Sequence, residues 1–388
     1  MKINVVIPSF YPAVVYGGTI FSSFNTCKAL ANIGQDVRVS TTNTNMYARL
    51  EVAANTWLPI ENFQVKYYNE TKVDKFSIAL LFNLWKDIKW ADVVHIQAIF
   101  NTPTPIALFY AWLFSKPVLL SPRGVMGDWI MNQGNGFKKK WLRFFIQPFA
   151  NKITWHATAE QEKKEILQHF PKAKIVVVPN GIDLLAFNAE ENLTKAAYLL
   201  KFTQKTFIGE PKIVVSMGRI HKKKGFDILI KSFADIHTID NAVLLIAGED
   251  EGALHELKQL VQELNLEKNV FFVGPIDGKD KVDFFIHADL FALTSHNENF
   301  GNVYAEALAS GIPIIASKNT PWSEIVNNQC GSWVDLDSSD IATAIDYWLE
   351  QDKNKDRCRR FISKYSWDEI AKQFDEVFVR MTKQISNK

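Results

Sequence analysis

The sequence is poor in cysteine, and this scarcity excludes two classes of protein. The chain contains three cysteines, Cys27, Cys330 and Cys358, which are far apart in sequence and show no CxxC or other metal-ligand spacing. An odd and sparse set predicts a reducing compartment and argues against a disulfide framework. Cys27 falls on the apolar face of a predicted helix, so we expect a buried side chain there and not a nucleophile.

Long apolar runs are also missing. The closest candidate, PIALFYAWLF at 105–114, has about half the length that a membrane-spanning helix needs. The first residues, MKINVVIPSF, read directly into a strand and lack the basic region, apolar core and cleavage site of a signal peptide. We therefore expect a cytoplasmic protein.

A large net charge is absent as well. The formal net charge of +2 at pH 7 argues against a nucleic-acid-binding protein. The first half of the chain is nevertheless more basic than the second. Such an asymmetry fits a basic surface that faces an anionic membrane or substrate, and it equally fits ordinary solvated charge.

What the sequence does contain is a regular alternation of short apolar runs with amphipathic stretches. The 388 residues, 47% of them hydrophobic, suffice for two soluble domains. The apolar runs predict buried parallel strands, which indicates an α/β fold with helices on both sheet faces. They are INVVIP, DVRVST, DVVHI, PVLLS and KIVVVP in the first half, and KIVVSM, NAVLLIAG, NVFFVG, DLFALT and IPIIAS in the second.

A polar segment between residues 184 and 212 separates the two halves. We therefore predict two Rossmann-like domains that face a central cleft, residues 1–190 and 191–365, in which ligands bind at the carboxyl ends of the strands. The last helix opens with Ser366 and Glu369, the spacing of a capping box.

The stretch HNENFGNVYAE places Glu298 and Glu306 on either side of a strand-to-helix turn. A helix that begins near Asn302 would present unpaired N–H groups that suit a phosphate, and Gly301 would allow close approach. Carboxylates accept hydrogen bonds from hydroxyls. The ligand that fits both is a nucleotide sugar. The alternative is that both glutamates are ordinary acidic residues at the start of a helix.

The stretch SMGRIHKKKGF places a basic loop between another predicted strand and helix. Arg219 offers a rigid fork for phosphate oxygens, and Lys224 offers a movable charge beside Gly225. Together they could neutralise a diphosphate leaving group without a metal ion. Lys222 and Lys223 are better explained as a solvated basic run.

These motifs resemble those of the retaining GT-B glycosyltransferases of family 4, the type that builds bacterial polysaccharides. The stretch from Ser295 to Ser317 resembles the family's E-x7-E segment, and GRIHKKKG resembles its phosphate loop. The stretches YGGTIF, SPRGVMGDW, HATAEQE and VPNGID resemble further segments of the family in the same order. The resemblance covers residues 5 to 367, almost the whole chain.

The resemblance implies a donor site with a defined set of residues. Glu298 would contact the donor sugar near the reacting carbon, and Glu306 would bind the nucleotide ribose. Arg219 and Lys224 would hold the diphosphate and stabilise its charge as it departs. The remaining donor-binding groups would be Gly17 and Gly18 of the first domain and the backbone of Phe300, Gly301, Asn302 and Val303.

The resemblance also implies the reaction and its partners. A hexosyl unit would pass from a nucleotide sugar, with UDP-glucose or another UDP-hexose favoured over GDP-mannose, to a saccharide or lipid-linked saccharide, without a cofactor or metal ion. The last helix, 366–388, would pack back on the first domain. The alternatives are a non-catalytic sugar-binding or partner subunit of the same fold, and a phosphorylase-like enzyme that needs pyridoxal phosphate.

One position departs from the family pattern. Many members carry a histidine after the strand that reads PVLLS here, and we align that position with Arg123. Arg123 could position an acceptor, bind phosphate or simply cap a loop. His156 is a second acceptor-side candidate, although a structural role is favoured for it and for His95.

Two further stretches allow more than one interpretation. The stretch FKKKWLRFFIQPFANK at 137–152 mixes basic and aromatic residues, as a site on an anionic membrane surface would. We favour core packing for its aromatic residues and surface exposure for Lys138–Lys140. The DLD triplet, Asp335–Asp337, looks like a metal-binding motif, but we interpret it as a helix cap.

Overall fold

The structure, a computed structural model, describes residues 1–46, 48–71, 75–131, 136–187, 193–352 and 354–386. The chain divides into two compact units, Met1–Gly181 with Trp367–Lys388, and Ile182–Ser366. This division falls at Gly181, whereas the sequence analysis placed the boundary after residue 190. The helix that starts at Trp367 groups with the first unit.

The first unit contains, among its described residues, an eight-stranded sheet in the order β10-β9-β8-β7-β1-β2-β6-β5. The sheet is parallel except where β5 pairs with β6, and β3 and β4 form a small separate hairpin. The strands are β1 (Lys2–Val6), β2 (Asp36–Thr42), β3 (Thr44–Asn45), β4 (Ala48–Arg49), β5 (Trp57–Ile60), β6 (Phe63–Tyr68), β7 (Val93–Gln97), β8 (Val118–Ser121), β9 (Thr154–Ala157) and β10 (Lys174–Val177).

Helices cover both faces of this sheet, which explains why the central strands β1, β7 and β8 are buried along almost their whole length. Cys27 is buried among the apolar side chains of the first helix, as expected, and this burial raises the pKa of its thiol to about 12. The helices are α1 (Gly18–Asn32), α2 (Ile78–Trp90), α3 (Pro103–Leu113), α4 (Asp128–Met131), α5 (Phe137–Trp141), which continues as one wider turn over Leu142–Ile146, and α6 (Glu160–His169).

The second unit contains, within its described residues, a parallel six-stranded sheet in the order β13-β12-β11-β14-β15-β16. The order reverses at β11, so loops that follow β11 and β14 meet at the same edge of the sheet. The strands are β11 (Lys212–Met217), β12 (Ala242–Ala247), β13 (Val270–Gly274), β14 (Leu290–Leu293), β15 (Ile314–Ser317) and β16 (Gly331–Val334).

The helices of the second unit alternate with these strands, as the amphipathic stretches predict. The chain ends in a long helix that belongs to the first unit, where Phe374 and Phe378 pack against the ring of His95. The helices are α7 (Lys195–Thr203), α8 (Phe226–Ala234), α9 (Leu254–Glu263), α10 (Gly278–Ile286), α11 (Asn302–Ala309), α12 (Glu324–Asn327), α13 (Ser338–Glu350), α14 (Lys355–Ile362) and α15 (Trp367–Ser386).

The DLD triplet caps a helix, as predicted. The carboxylate of Asp337 accepts hydrogen bonds from the backbone N–H groups of Ser339 and Asp340 at the start of α13, at 2.9 and 3.4 Å. The Ser339 hydroxyl donates to the same carboxylate, and this bond, together with the two backbone bonds, lowers the pKa of Asp337. Asp335 forms an ion pair with Lys318 at 2.5 Å.

Candidate functional site

The start of α11 forms a tight, glycine-dependent turn at the carboxyl end of β14. Gly301 has φ +76°, and a Cβ there would lie 2.6 Å from the Tyr304 ring, so a larger residue would strain the turn. The helix begins at Asn302, as predicted, and its first N–H groups carry the partial positive charge of a helix N-terminus. The Phe300 carbonyl oxygen accepts a 2.7 Å hydrogen bond from the Trp322 indole, and the Phe300 side chain is buried.

The basic loop after β11 is fastened to this turn by backbone contacts. Gly225 has φ +66°, and a Cβ there would lie 2.2 Å from the carbonyl oxygen of Thr294. The Thr294 hydroxyl donates a 2.6 Å hydrogen bond to the Gly225 carbonyl, and the N–H of His296 donates to the Lys223 carbonyl at 2.9 Å. The close approach of the two loops therefore requires glycine at position 225.

This close approach brings Lys224 and Glu298 together, although 74 residues separate them. Their ammonium and carboxylate form an ion pair, and both side chains are largely buried, at 17% and 13% exposed. The ion pair therefore places one cationic and one anionic side chain side by side next to the helix start. The sequence motifs predict both residues in one site, but they do not predict that the two side chains contact each other.

Glu306 is held in a similar way by a lysine that the sequence analysis missed. Lys281, in α10, lies with its Nζ 2.6 Å from Oε1 of Glu306. Oε2 of Glu306 is buried and has no hydrogen-bond partner among the described residues. A buried carboxylate oxygen without a partner is costly, and a hydroxyl of a bound ligand would satisfy it.

Arg219 is placed differently from the other predicted residues. Its Nη1 lies 2.8 and 3.0 Å from the two carboxylate oxygens of Glu251, and its side chain is 69% exposed. Glu251 follows β12 and was also missed. Its signal in the sequence is the run GEDEG directly after the apolar strand. Gly248 of that run approaches the Gly218 carbonyl so closely that a Cβ would lie 1.8 Å away.

Gly17 and Gly18 lie in the first unit, at the start of α1. Gly17 has φ +70°, and a Cβ there would meet nothing within 4 Å. Position 17 therefore favours glycine for its backbone conformation and not for lack of space. The Tyr16 hydroxyl accepts a 2.7 Å hydrogen bond from the Met46 N–H, which fixes the segment before this turn.

Arg123 and His156 belong to a buried polar chain in the first unit. Arg123 donates from Nε to Gln97 at 2.6 Å and from Nη1 to Asn180 at 3.0 Å, whereas its Nη2 is buried and has no partner among the described residues. Burial lowers the pKa of Arg123 to about 10. Arg123 also has φ +64°, an uncommon conformation for a residue with a side chain.

His156 is 1% exposed, and both of its ring nitrogens are bonded. Nδ1 lies 2.7 Å from the Ser121 hydroxyl, and Nε2 lies 2.7 Å from the Val178 carbonyl. Burial lowers its pKa to about 3, so the ring is neutral at pH 7. This geometry corresponds to the structural role that the sequence analysis favoured and leaves no ring nitrogen for an acceptor. His95 joins the chain, with its Nε2 2.8 Å from the same hydroxyl.

Two further observations concern metals and membranes. Within the described ranges, no group of three or more His, Cys, Asp or Glu side chains is arranged to hold a metal ion. No helix among the described residues combines the length and apolarity needed to cross a membrane.

Comparisons with known proteins identify the family. The family model for Glycosyltransferase Family 4 matches residues 16–184, and that for Glycosyl transferases group 1 matches residues 200–365. The two-unit α/β fold and these matches define a GT-B glycosyltransferase. The chain belongs to the family 4 type of this class, as the sequence motifs indicate.

Similar proteins carry names that fit this class. The chain is 24% identical, over 89% of its length and 77% of the relative, to alpha-monoglucosyldiacylglycerol synthase of Streptococcus pneumoniae. It is 28% identical to a D-inositol 3-phosphate glycosyltransferase of Corynebacterium aurimucosum, over 56% of the chain and 54% of the relative.

A solved structure confirms the GT-B fold. The chain superposes on Anabaena HepE, solved in complex with UDP, with a TM-score of 0.75 at 19% identity, over 98% of this chain and all of that one. HepE has also been solved with UDP-glucose.

Proposed function

We propose that this glycosyltransferase transfers a hexosyl unit from a UDP-hexose, such as UDP-glucose, to a sugar hydroxyl with retention of configuration. The observation that carries the proposal is the arrangement at the start of α11, where Glu298 and Glu306 are each held by a lysine. One end of the site offers Glu298 for sugar hydroxyls, the other offers Oε2 of Glu306 for a ribose hydroxyl, and the helix start between them suits a diphosphate.

The proposed chemistry depends on charge stabilisation of the leaving group. As the bond between the sugar and the diphosphate breaks, negative charge grows on the departing phosphate oxygen. The helix start, the Lys224 ammonium and the Arg219 guanidinium would stabilise that charge. The acceptor hydroxyl attacks the same face of the sugar and passes its proton to the departing phosphate oxygen. No metal ion or organic cofactor takes part in this scheme.

The donor is inferred from similarity. HepE binds UDP and UDP-glucose in its solved structures, which supports a uridine donor and places GDP-mannose second. Gly17 and Gly18 of the first unit are proposed to approach the phosphates. Arg123 is proposed to bind an acceptor or a phosphate through its unpartnered Nη2, and His156 to support the same region.

The acceptor is proposed to be a saccharide or lipid-linked saccharide of a polysaccharide pathway. The enzyme would then act in the cytoplasm or at the inner face of the plasma membrane. The pneumococcal relative is named as the synthase of a glucosylated diacylglycerol, which supports a lipid-linked acceptor.

Thermal-shift and calorimetric screening against a panel of nucleotide sugars tests the donor. We expect UDP-glucose or another UDP-hexose to stabilise the protein most and to be hydrolysed slowly to UDP without an acceptor. Stabilisation by no nucleotide sugar would contradict the proposed function. The anomeric configuration of the product, read by NMR, tests retention, and unchanged turnover in a chelator tests the absence of a metal ion.

The alternative is a non-catalytic sugar-binding or partner subunit with the same fold. The joint presence of four residues argues against it, because the set includes the cations that are proposed to stabilise the leaving diphosphate. They are Glu298, Glu306, Arg219 and Lys224. Donor binding without any hydrolysis or transfer would support this alternative. A phosphorylase-like enzyme would show the absorbance band of pyridoxal phosphate.

A further inference from the structure

An apolar groove lies on the surface of the first unit and shares no lining residue with the buried polar chain of Arg123. It has a volume of about 410 Å³, within the range of ligand-binding pockets. Helices α2 and α3 and the segment after α5 form it, and its lining includes Leu81, Ile106, Phe109, Phe144, Phe145 and Phe149. The hydroxyl of Tyr110, which also borders it, donates a 2.7 Å hydrogen bond to the Leu81 carbonyl. Because this hydroxyl is already hydrogen-bonded, Tyr110 does not make the lining of the groove polar.

Large aromatic side chains stand exposed at the rim of the groove. Phe144 is 68% exposed, Phe109 is 48% exposed and Phe145 is 43% exposed. This corrects the core packing that the sequence analysis favoured for the aromatic residues of 137–152, since only Trp141 and Phe149 of that segment are partly buried against the core. The reason is that the chain forms a wider turn at Leu142–Ile146, which buries Leu142 and Ile146 instead.

The apolar surface continues beyond the groove along both helices. Ile78 and Phe82 of α2 are 55% and 66% exposed, and Trp112 of α3 is 52% exposed, with its ring centroid 6.1 Å from that of Phe109. A contiguous apolar patch that is exposed on a protein surface marks an interaction site more often than it marks chance exposure.

The chain around the groove is strongly basic. Residues 75–152 contain ten Lys and Arg but three Asp and Glu, and one of the acidic residues, Asp87, is buried in an ion pair with Lys66 at 2.5 Å. Lys139, Lys140 and Arg143 are exposed on the same segment as Phe144. An exposed aromatic surface beside a basic segment is the composition of a protein face that enters the headgroup layer of an anionic membrane.

We propose that the groove and its basic border form a docking site for an anionic lipid bilayer, with a lipid hydrocarbon chain in the groove and the lipid headgroups against Lys139, Lys140 and Arg143. A second copy of this chain is a poorer occupant, because self-association through the same face would bring the basic segment of one copy close to that of the other. The docking site does not depend on the proposed donor reaction. It would be the surface through which the enzyme reaches a lipid-linked acceptor.

Flotation of the full-length protein with phosphatidylcholine vesicles, with and without phosphatidylglycerol, tests the site. We expect binding that requires phosphatidylglycerol and weakens with salt. Replacing Lys139, Lys140 and Arg143 by Gln should weaken partitioning by about fivefold for each charge. The double variant Phe109→Ser and Phe144→Ser should lose binding by at least about tenfold.

Matched variants in the second unit provide the controls. Ile208→Ser removes an exposed apolar side chain, and replacing Lys258, Lys268 and Lys279 by Gln removes the same number of charges. Both controls should bind vesicles as the wild type does, and every variant should keep its melting temperature and its affinity for UDP. Wild-type protein that fails to float with anionic vesicles, or aromatic variants that float like the wild type, would overturn the docking site. A dimer in light scattering that Phe144→Ser dissociates, with vesicle binding unchanged, would assign the face to self-association instead.

Discussion

The Nζ atom of Lys281 lies 2.6 Å from Oε1 of Glu306, and the other carboxylate oxygen of Glu306 is buried without a partner among the described residues. The lysine therefore fixes one oxygen and leaves the second available. Glu306 is 8% exposed, so little water reaches its carboxylate, and the Lys281 ammonium is the charge with which it is paired. In the proposed site, Lys281 positions the carboxylate that would accept a ribose hydroxyl.

The first prediction follows from this pair. Lys281→Met should weaken UDP binding by about tenfold, the size of a lost hydrogen bond to a charged group. It should raise the KM for the donor more than it lowers kcat, because the ribose is remote from the reacting carbon. Calorimetry with UDP and steady-state kinetics measure the two effects, and Lys281→Arg should restore part of the affinity.

Lys279→Met is the matched control, since Lys279 is exposed on the same helix. It should bind UDP as the wild type does. If Glu306→Ala weakens UDP binding but Lys281→Met does not, the positioning role of Lys281 is wrong while the ribose site stands.

The second prediction separates the two glutamates. Glu306→Ala should reduce the affinity for free UDP, whereas Glu298→Ala should reduce turnover by more than it reduces UDP affinity, because UDP lacks the sugar that Glu298 would contact. Calorimetry with UDP beside a donor-hydrolysis assay distinguishes them. Equal losses in both variants and both assays would reject this division.

The third prediction concerns the Arg219–Glu251 pair. Arg219→Ala should weaken UDP binding by about tenfold or more and abolish turnover, because a guanidinium at a diphosphate contributes a charged hydrogen bond. Glu251→Gln should leave UDP binding unchanged or tighten it by at most about fivefold, since exposed ion pairs contribute about 0.2–1 kcal/mol. Calorimetry with UDP and GDP measures both variants.

The exposed Arg380, on the C-terminal helix, supplies the control for the charge change. Arg380→Ala should keep its UDP affinity. Affinities for UDP and GDP that are both unchanged in Arg219→Ala would remove Arg219 from the donor site.

The fourth prediction is a loss of stability in mild acid from the buried His156. Its pKa is lowered from an ordinary 6.5 to about 3 by burial, so below pH 6.5 the unfolded chain binds a proton there that the folded chain does not. Above about pH 6.5 the imidazole is neutral in both states and does not lower the free energy of unfolding. As the pH falls from 6.5 toward 3, protonation of His156 in the unfolded chain lowers that free energy progressively. Between pH 7.5 and 5.5 this group alone should cost about 1.4 kcal/mol of unfolding free energy.

Urea unfolding of the full chain at both pH values measures that loss, and His156→Gln should show a smaller one. The neutral His95 in the same chain contributes in the same direction, because burial lowers its pKa as well. A variant whose pH dependence equals that of the wild type would show that His156 does not contribute.

Much of the fold could be predicted because parallel strands that are covered on both faces are mostly apolar in sequence. Strand β6 did not stand out, because Lys66 lies within it. That lysine is buried against Asp87 of α2 at 2.5 Å, an ion pair between residues that are distant in sequence. The thiol of Cys358, 28 positions away in the chain, likewise lowers the pKa of the Cys330 thiol in the fold.

The local geometry of the candidate site could be predicted from adjacent residues, whereas contacts between distant parts of the chain could not. Glycine at 301 and the helix start at Asn302 follow from adjacent residues. Lys281 lies in α10 and Glu251 follows β12. No sequence spacing therefore indicates that they pair with Glu306 and Arg219. The segment at 137–152 was interpreted wrongly for its aromatic residues, because which side chains a helix buries depends on its local turn geometry.

The last prediction concerns Gly225, which lies where the two loops of the proposed donor site contact each other. A Cβ at Gly225 would lie 2.2 Å from the Thr294 carbonyl oxygen, whereas one at Gly209 would meet nothing within 4 Å, and both residues have positive φ. Gly209→Ala should therefore lose only about 1–2 kcal/mol of unfolding free energy for its left-handed backbone. Gly225→Ala should lose clearly more in urea unfolding and should weaken UDP binding in calorimetry, because the clash displaces Lys224 from Glu298. Equal losses in the two variants would show that the loops are not held at this contact.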